Sequence, residues 1–132
     1  MYTMKNMQLT IPNEDYLERI WELLDEKGYA RVTDIAERLS VSPASVTMML
    51  KKLETSGHVI RERYRGFTLT AKGRAVGLRI KKRDKILSQF LRLLHVPEKV
   101  IEHDIEGMEH SLSDETLEKL EELVVKLQEQ KK

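Results

Sequence analysis

Residues 33–70 read TDIAERLSVSPASVTMMLKKLETSGHVIRERYRGFTLT, and three local patterns follow one another there without a gap. TDIAERL (33–39) has the period of a short helix, with Thr33 in the N-cap position. SVSPAS is a turn in which Ser42 caps the next helix and Pro43 takes its first position, where a missing N–H costs nothing. PASVTMMLKKLET (43–55) is that helix, and Ser56-Gly57 stops it. HVIRERYRGFTLT (58–70) alternates apolar and polar residues and breaks at Arg65-Gly66, the signature of a β-hairpin. Ile35, Ala36, Leu39, Val41, Val46, Met49, Leu50 and Leu53 fall at the spacing of a small trihelical core. Ala36 stands where two helices cross and a small residue fits. Two helices across a tight turn, followed by a hairpin, describe a winged helix-turn-helix.

On the N-terminal side, PNEDYLERIWELLDEK (12–27) supplies the remaining helix. Pro12 and the acids suit its first turn, Tyr16, Ile20, Leu23 and Leu24 make its apolar stripe, and Gly28 ends it. On the C-terminal side, a long basic helix runs from Ala71 to about Leu94. HVPEK breaks it, Pro97 opens another helix, and SLSDET places a cap at Ser113 before a last helix over 114–130. In that last helix Leu117, Leu120, Val124 and Leu127 form a narrow seam. The expected fold is mainly α. Residues 1–72 form a winged helix-turn-helix with a small β-hairpin wing, and residues 73–132 an all-helical second domain.

Composition narrows the function. The chain has 132 residues and is 40% hydrophobic, and no apolar run approaches the length of a membrane span. MYTMKNMQLT lacks the apolar core of a signal peptide. There are no cysteines, which excludes disulfides and thiolate metal sites. The expected location is the cytoplasm. Net charge is only +1, but residues 51–83 hold eleven Lys/Arg against two acids, while residues 98–132 hold five Lys against eleven acids. A basic middle between acidic ends points to a polyanion partner for the middle.

If that partner is double-stranded DNA, the helix over 43–55 enters the major groove with its N-terminal end leading. Ser42, Ala44, Ser45, Thr47 and Met48 are the outward side chains there. Hydroxyls bond base edges or phosphates, and Ala44 suits a thymine methyl. Lys51 and Lys52, further back, suit phosphate. Arg63, Tyr64 and Arg65 at the hairpin tip suit the sugar–phosphate backbone or the minor groove. The plain alternative for Ser42 and Ser45 is helix capping.

A second chemistry lies in EHDIEGMEHSL (102–112), where Glu106, Glu109 and His110 fall at i, i+3 and i+4 and point one way on a helix. Asp15 and Glu18 make a similar i, i+3 pair in the first helix, and Asp84 stands alone among cations in the long one. If these helices pack together, five carboxylates and one imidazole converge, and a partly buried site cannot hold that much negative charge uncompensated. Divalent cations supply the missing charge. Oxygen-rich ligands with one nitrogen and no sulfur suit Mn²⁺ or Fe²⁺, with Mg²⁺ and Ca²⁺ still open. By spacing alone, such a triplet is more often a solvated acidic face. It also lacks the first His of the H-x-x-E-H hydrolase motif, and no nucleophile or phosphate loop appears, so an enzyme is not expected.

EDYLERIWELLDEKGYARVTDIAERL, SPASVTMMLKKLE, YRGFTLTAKG and DIEGMEHSLS, in that order over roughly residues 12–130, resemble the metal-dependent repressors of the diphtheria-toxin-repressor family, most closely its manganese transport regulators. The resemblance implies a homodimer that binds palindromic operator DNA when loaded with metal and represses metal-uptake genes. It implies no membrane partner and no small-molecule substrate. It implies that Asp15, Glu18, Glu106, Glu109 and His110 match ligands of two Mn²⁺ ions per subunit, some carboxylates bridging. Iron-selective relatives carry Met and Cys where this chain has Asp15 and Glu109. One position departs: Asp84 stands where the regulators carry a His, so it binds metal directly, binds through water or drops out. His103, on the same stripe as Glu106 and His110, is a further candidate, with a supporting or surface role as the alternative. The chain stops after the last helix, as do short members without an SH3-like domain. Phe90, Leu91, Leu94, Val100, Ile101 and the Leu117–Leu127 seam divide between monomer core and dimer surface. The alternative reading is a winged-helix regulator that senses no metal.

Overall fold

A computed structural model describes residues 11–130. The elements run α1 (Ile11–Lys27), α2 (Val32–Leu39), α3 (Pro43–Thr55), β1 (Val59–Glu62), β2 (Gly66–Leu69), α4 (Ala71–Leu93), α5 (Glu98–Ser111) and α6 (Asp114–Gln130). This is the expected mainly helical order, with one hairpin among the described residues. The chain divides into two compact units, one up to Arg79 and one from Ile80, so α4 contributes its first turns to one and the rest to the other.

The first unit is built on α1, which buries Tyr16, Leu17, Ile20 and Leu23 on one stripe. Ile35 and Ala36 of α2, Val46, Leu50 and Leu53 of α3, and Val59, Phe67 and Leu69 of the hairpin complete that core. Leu39 and Met49 are only partly buried against it. Val41 corrects the expected core: it is 40% exposed, because it lies in the turn after α2, where Ser40 adopts a left-handed conformation. The cap of α2 is also displaced from Thr33. Its N-cap is Arg31, whose backbone N–H donates to the Asp34 carboxylate at 3.1 Å. The α3 cap is as expected, with Ser42 Oγ accepting the Ser45 N–H at 3.1 Å.

In the hairpin, Val59 pairs with Leu69 and Glu62 with Gly66, antiparallel. A third segment joins it. Ala30 N–H donates to Arg65 O at 3.0 Å, and Phe67 N–H to Ala30 O at 2.9 Å. Gly66 is required there: its φ is +79°, and an added Cβ would stand 2.4 Å from Ala30 O. The wing is therefore fixed to the loop between α1 and α2 by backbone bonds.

In the second unit, Ile86, Leu87 and Leu91 of α4 pack with Ile101 and Ile105 of α5 and Leu117 of α6. Burying each such side chain contributes about 1.5–3 kcal/mol. Leu91 and Ile101 are thus monomer core, while Leu94 and Val100 stay about half exposed. Arg92 Nε donates to Glu98 at 2.8 Å across the α4–α5 corner. Ser113 Oγ accepts the Thr116 N–H at 3.1 Å and caps α6.

Candidate metal centre and DNA-contacting surface

The N-terminal half of α3 presents Ser42, Ala44, Ser45, Thr47 and Met48 to solvent, with Lys51 and Lys52 exposed one turn on. Met48 is 65% exposed, unusual for so apolar a side chain. The hydroxyls have local partners: Ser42 donates to Ser45 Oγ at 2.9 Å, and Thr47 donates to Pro43 O at 3.0 Å. Ser45 accepts that bond and retains its own proton for a further acceptor. Capping and outward presentation coexist at this end of the helix.

At the wing tip Tyr64 is 78% exposed, and the Arg63 guanidinium lies 5.7 Å from its ring centre. Arg65 Nε donates to Glu62 at 2.9 Å. Arg31 supports the tip from below: its Nη2 donates to Tyr64 O at 3.0 Å, and its guanidinium lies 4.4 Å from the Tyr29 ring centre. No sequence pattern marked Arg31, because its partner is 33 residues away.

The basic segment is not one uniform surface. Arg79 Nη2 donates to the buried Glu14 at 2.9 Å. Arg83 is only 6% exposed and faces inward.

The acidic residues fall into the two units. On α1, Asp15 is half-buried and Glu18 is 1% exposed, with Arg19 Nη1 at 3.4 Å from Glu18 Oε1. On α5, Glu109 is 2% exposed, and His110 Nε2 stands 3.4 Å from its Oε1, with the imidazole equally buried. Glu106 remains exposed one turn earlier, and Asp84 of α4 is half-buried. Ser88 Oγ donates to Asp84 at 3.4 Å. His103 is 88% exposed and lies against Asp104 at 3.1 Å.

Buried carboxylates are costly, and a buried carboxylate with an imidazole beside it is the donor set of a hard or borderline divalent cation. Thiolate ligands are excluded, because the chain has no cysteine. The residues fit such an ion. His110 would hold it through a neutral ring nitrogen and Glu109 through a carboxylate oxygen.

Two family models cover almost the whole chain. Residues 8–67 match the N-terminal DNA-binding domain of the iron-dependent repressors, and residues 70–132 match their metal-binding and dimerisation domain. The HTH-type transcriptional regulator MntR of Geobacillus thermodenitrificans (strain NG80-2) is 51% identical over 116 residues, 88% of this chain and 82% of that protein. Among solved structures, the manganese regulator SloR is 31% identical with a TM-score of 0.76, over 85% of this chain and 53% of that one. The metal-dependent transcriptional regulator MtsR is 26% identical with a TM-score of 0.80, over the same shares. The chain spans about half the length of these two solved relatives.

Proposed function

We propose, on the premise that this chain belongs to the iron-dependent repressor family of transcriptional regulators, that it is a Mn²⁺-responsive repressor rather than an enzyme. The observation that carries the reading is the buried Glu109 carboxylate beside the buried His110 imidazole on α5, in a chain 51% identical to a regulator named MntR.

The ligand set of this reading is Asp15 and Glu18 of α1, Asp84 of α4, and Glu106, Glu109 and His110 of α5, serving two ions per subunit. Bound Mn²⁺ supplies the positive charge that offsets these carboxylates. Fe²⁺ and other divalent cations are competitors. Without compensation, carboxylates sharing an ion would repel one another. Once compensated, they would favour the state that fits an operator. The metal shifts that equilibrium only by its preference for the competent arrangement. Ser42, Ala44, Ser45, Thr47 and Met48 read the major groove, Lys51 and Lys52 meet phosphates, and Arg63, Tyr64 and Arg65 follow the adjacent backbone.

A palindromic operator requires two copies. The second unit offers surface for the dimer: exposed Leu94 and Val100, and a groove on α5 of about 610 Å³ lined by Met108 and Leu112. The regulated genes, on this reading, are those of metal uptake, and the protein acts in the cytoplasm. No helix among the described residues is long and apolar enough to cross a membrane.

The test is DNA binding to genomic fragments across a panel of Mn²⁺, Fe²⁺, Zn²⁺, Co²⁺ and Ca²⁺. Tight binding to a few palindromic fragments with Mn²⁺, lost on chelation, is expected. Equal binding with and without metal would favour a regulator that senses no metal.

A further inference from the structure

Arg83 is 6% exposed, and its guanidinium is spent on one corner of the second unit. Nη1 donates to Glu109 O at 3.0 Å and to Leu112 O at 2.5 Å. Nη2 donates to Asp114 Oδ1 at 2.6 Å. These acceptors bracket the end of α5 and the start of α6. Because α5 stops at Ser111, the Glu109 carbonyl has no fourth-residue amide within its helix and needs a donor from elsewhere. A cation at a helix C-terminus also favours the macrodipole.

We propose that Arg83 is a positioning residue of the metal centre: it fixes the last turn of α5 through the main chain of Glu109, and so holds the Glu109 and His110 side chains in ligating geometry. The inference rests on the metal-sensor reading above. It assigns to metal binding a residue that composition counts with the DNA-binding cations. Arg83 cannot meet a polyanion from its buried place. It also sits next to Asp84, so one turn of α4 carries both a candidate ligand and the clamp for two others. A planar five-donor fork reaches three acceptors on two segments, which a lysine ammonium on a flexible stem does less well.

The experiment is calorimetric titration of MnCl₂ into the full chain and into Arg83→Met, Arg83→Lys, Asp114→Asn and Leu91→Ala. The visible absorption of Co²⁺ added in place of Mn²⁺ reports coordination. Arg83→Met is expected to weaken Mn²⁺ binding at least tenfold and to change the Co²⁺ band shape. Arg83→Lys should be intermediate. Asp114→Asn removes one acceptor's charge on a side chain 78% exposed, so it folds if Arg83→Met does not, and should weaken binding a few-fold. Leu91→Ala, which loosens the core of the same unit, should bind within threefold of the unaltered chain. If the Arg83 and Asp114 variants bind like the unaltered chain, or if Leu91→Ala loses as much as Arg83→Met, the positioning role is wrong. If the unaltered chain takes up no Mn²⁺, the metal-sensor reading fails first, and this inference with it.

Discussion

The carbonyl oxygen of His58 occupies the space that a side chain on Gly73 would need, 2.0 Å from an ideal Cβ. That carbonyl cannot retreat, because it accepts the Thr70 N–H at 3.1 Å. Thr70 Oγ1 in turn donates to Gly57 O at 2.6 Å and accepts the Gly73 N–H at 3.1 Å. Helix α3, the wing and α4 are joined here by backbone groups and the Thr70 hydroxyl. Gly73→Ala should therefore destabilise the DNA-binding unit by about 3 kcal/mol, despite the better helix propensity of alanine. Urea denaturation followed by circular dichroism measures it, and an unchanged midpoint would refute the clash.

At the same joint, His58 is 2% exposed, with Nδ1 2.7 Å from Ser56 Oγ. Burial, and then the Lys72 charge, hold its pKa below the ordinary 6.5. The unfolded chain thus takes up a proton near 6.5 that the folded chain resists. Stability is full above that pH and falls as the pH drops from 6.5 toward the lower folded value. The drop between pH 7.5 and 5.5 should shrink in His58→Gln, and equal drops in the two proteins would exclude His58 as its source.

Glu109→Gln keeps the size of the side chain and removes its charge. It should lower Mn²⁺ affinity at least tenfold in calorimetry, whereas His103→Ala, changed on an exposed residue, should leave it unaltered. Comparable effects from both would mean that the titration senses general acidity and not a site.

Lys51→Ala should reduce the slope of log K against log[salt] by about 0.9 if that lysine meets one phosphate. Met48→Ala should leave the slope unchanged and alter discrimination among sequences. The two variants exchanging these behaviours would reverse the roles assigned on α3.

Arg31→Ala removes the support beneath Tyr64 at an exposed position. Its cost in folding stability should be under about 1 kcal/mol. DNA affinity should fall by more than stability does, because the wing tip is left to find its place on binding. Unchanged affinity in a mobility-shift titration would show that the Ala30–Gly66 bridge alone fixes the wing.

By itself, the sequence determined the element order. Helical period, the Ser42-Pro43 cap, the Arg65-Gly66 turn and the Ser113 cap are all written within a few residues of where they act, so the helices and the hairpin were readable before any packing was known. The acidic residues of α1 and α5 were readable for the same reason: i, i+3 and i+4 spacing is local. What only the tertiary structure decided depends on partners far along the chain. Val41 left the core because its turn carries it outward. The wing gained a third segment at Ala30, 36 positions before Gly66. Glu109 and His110 became buried while Glu106, on the same helix, stayed in water. Arg83, one cation among many in its segment, turned inward to close the end of α5. Burial and long-range hydrogen bonding follow from which surfaces meet, and period and capping carry no record of that.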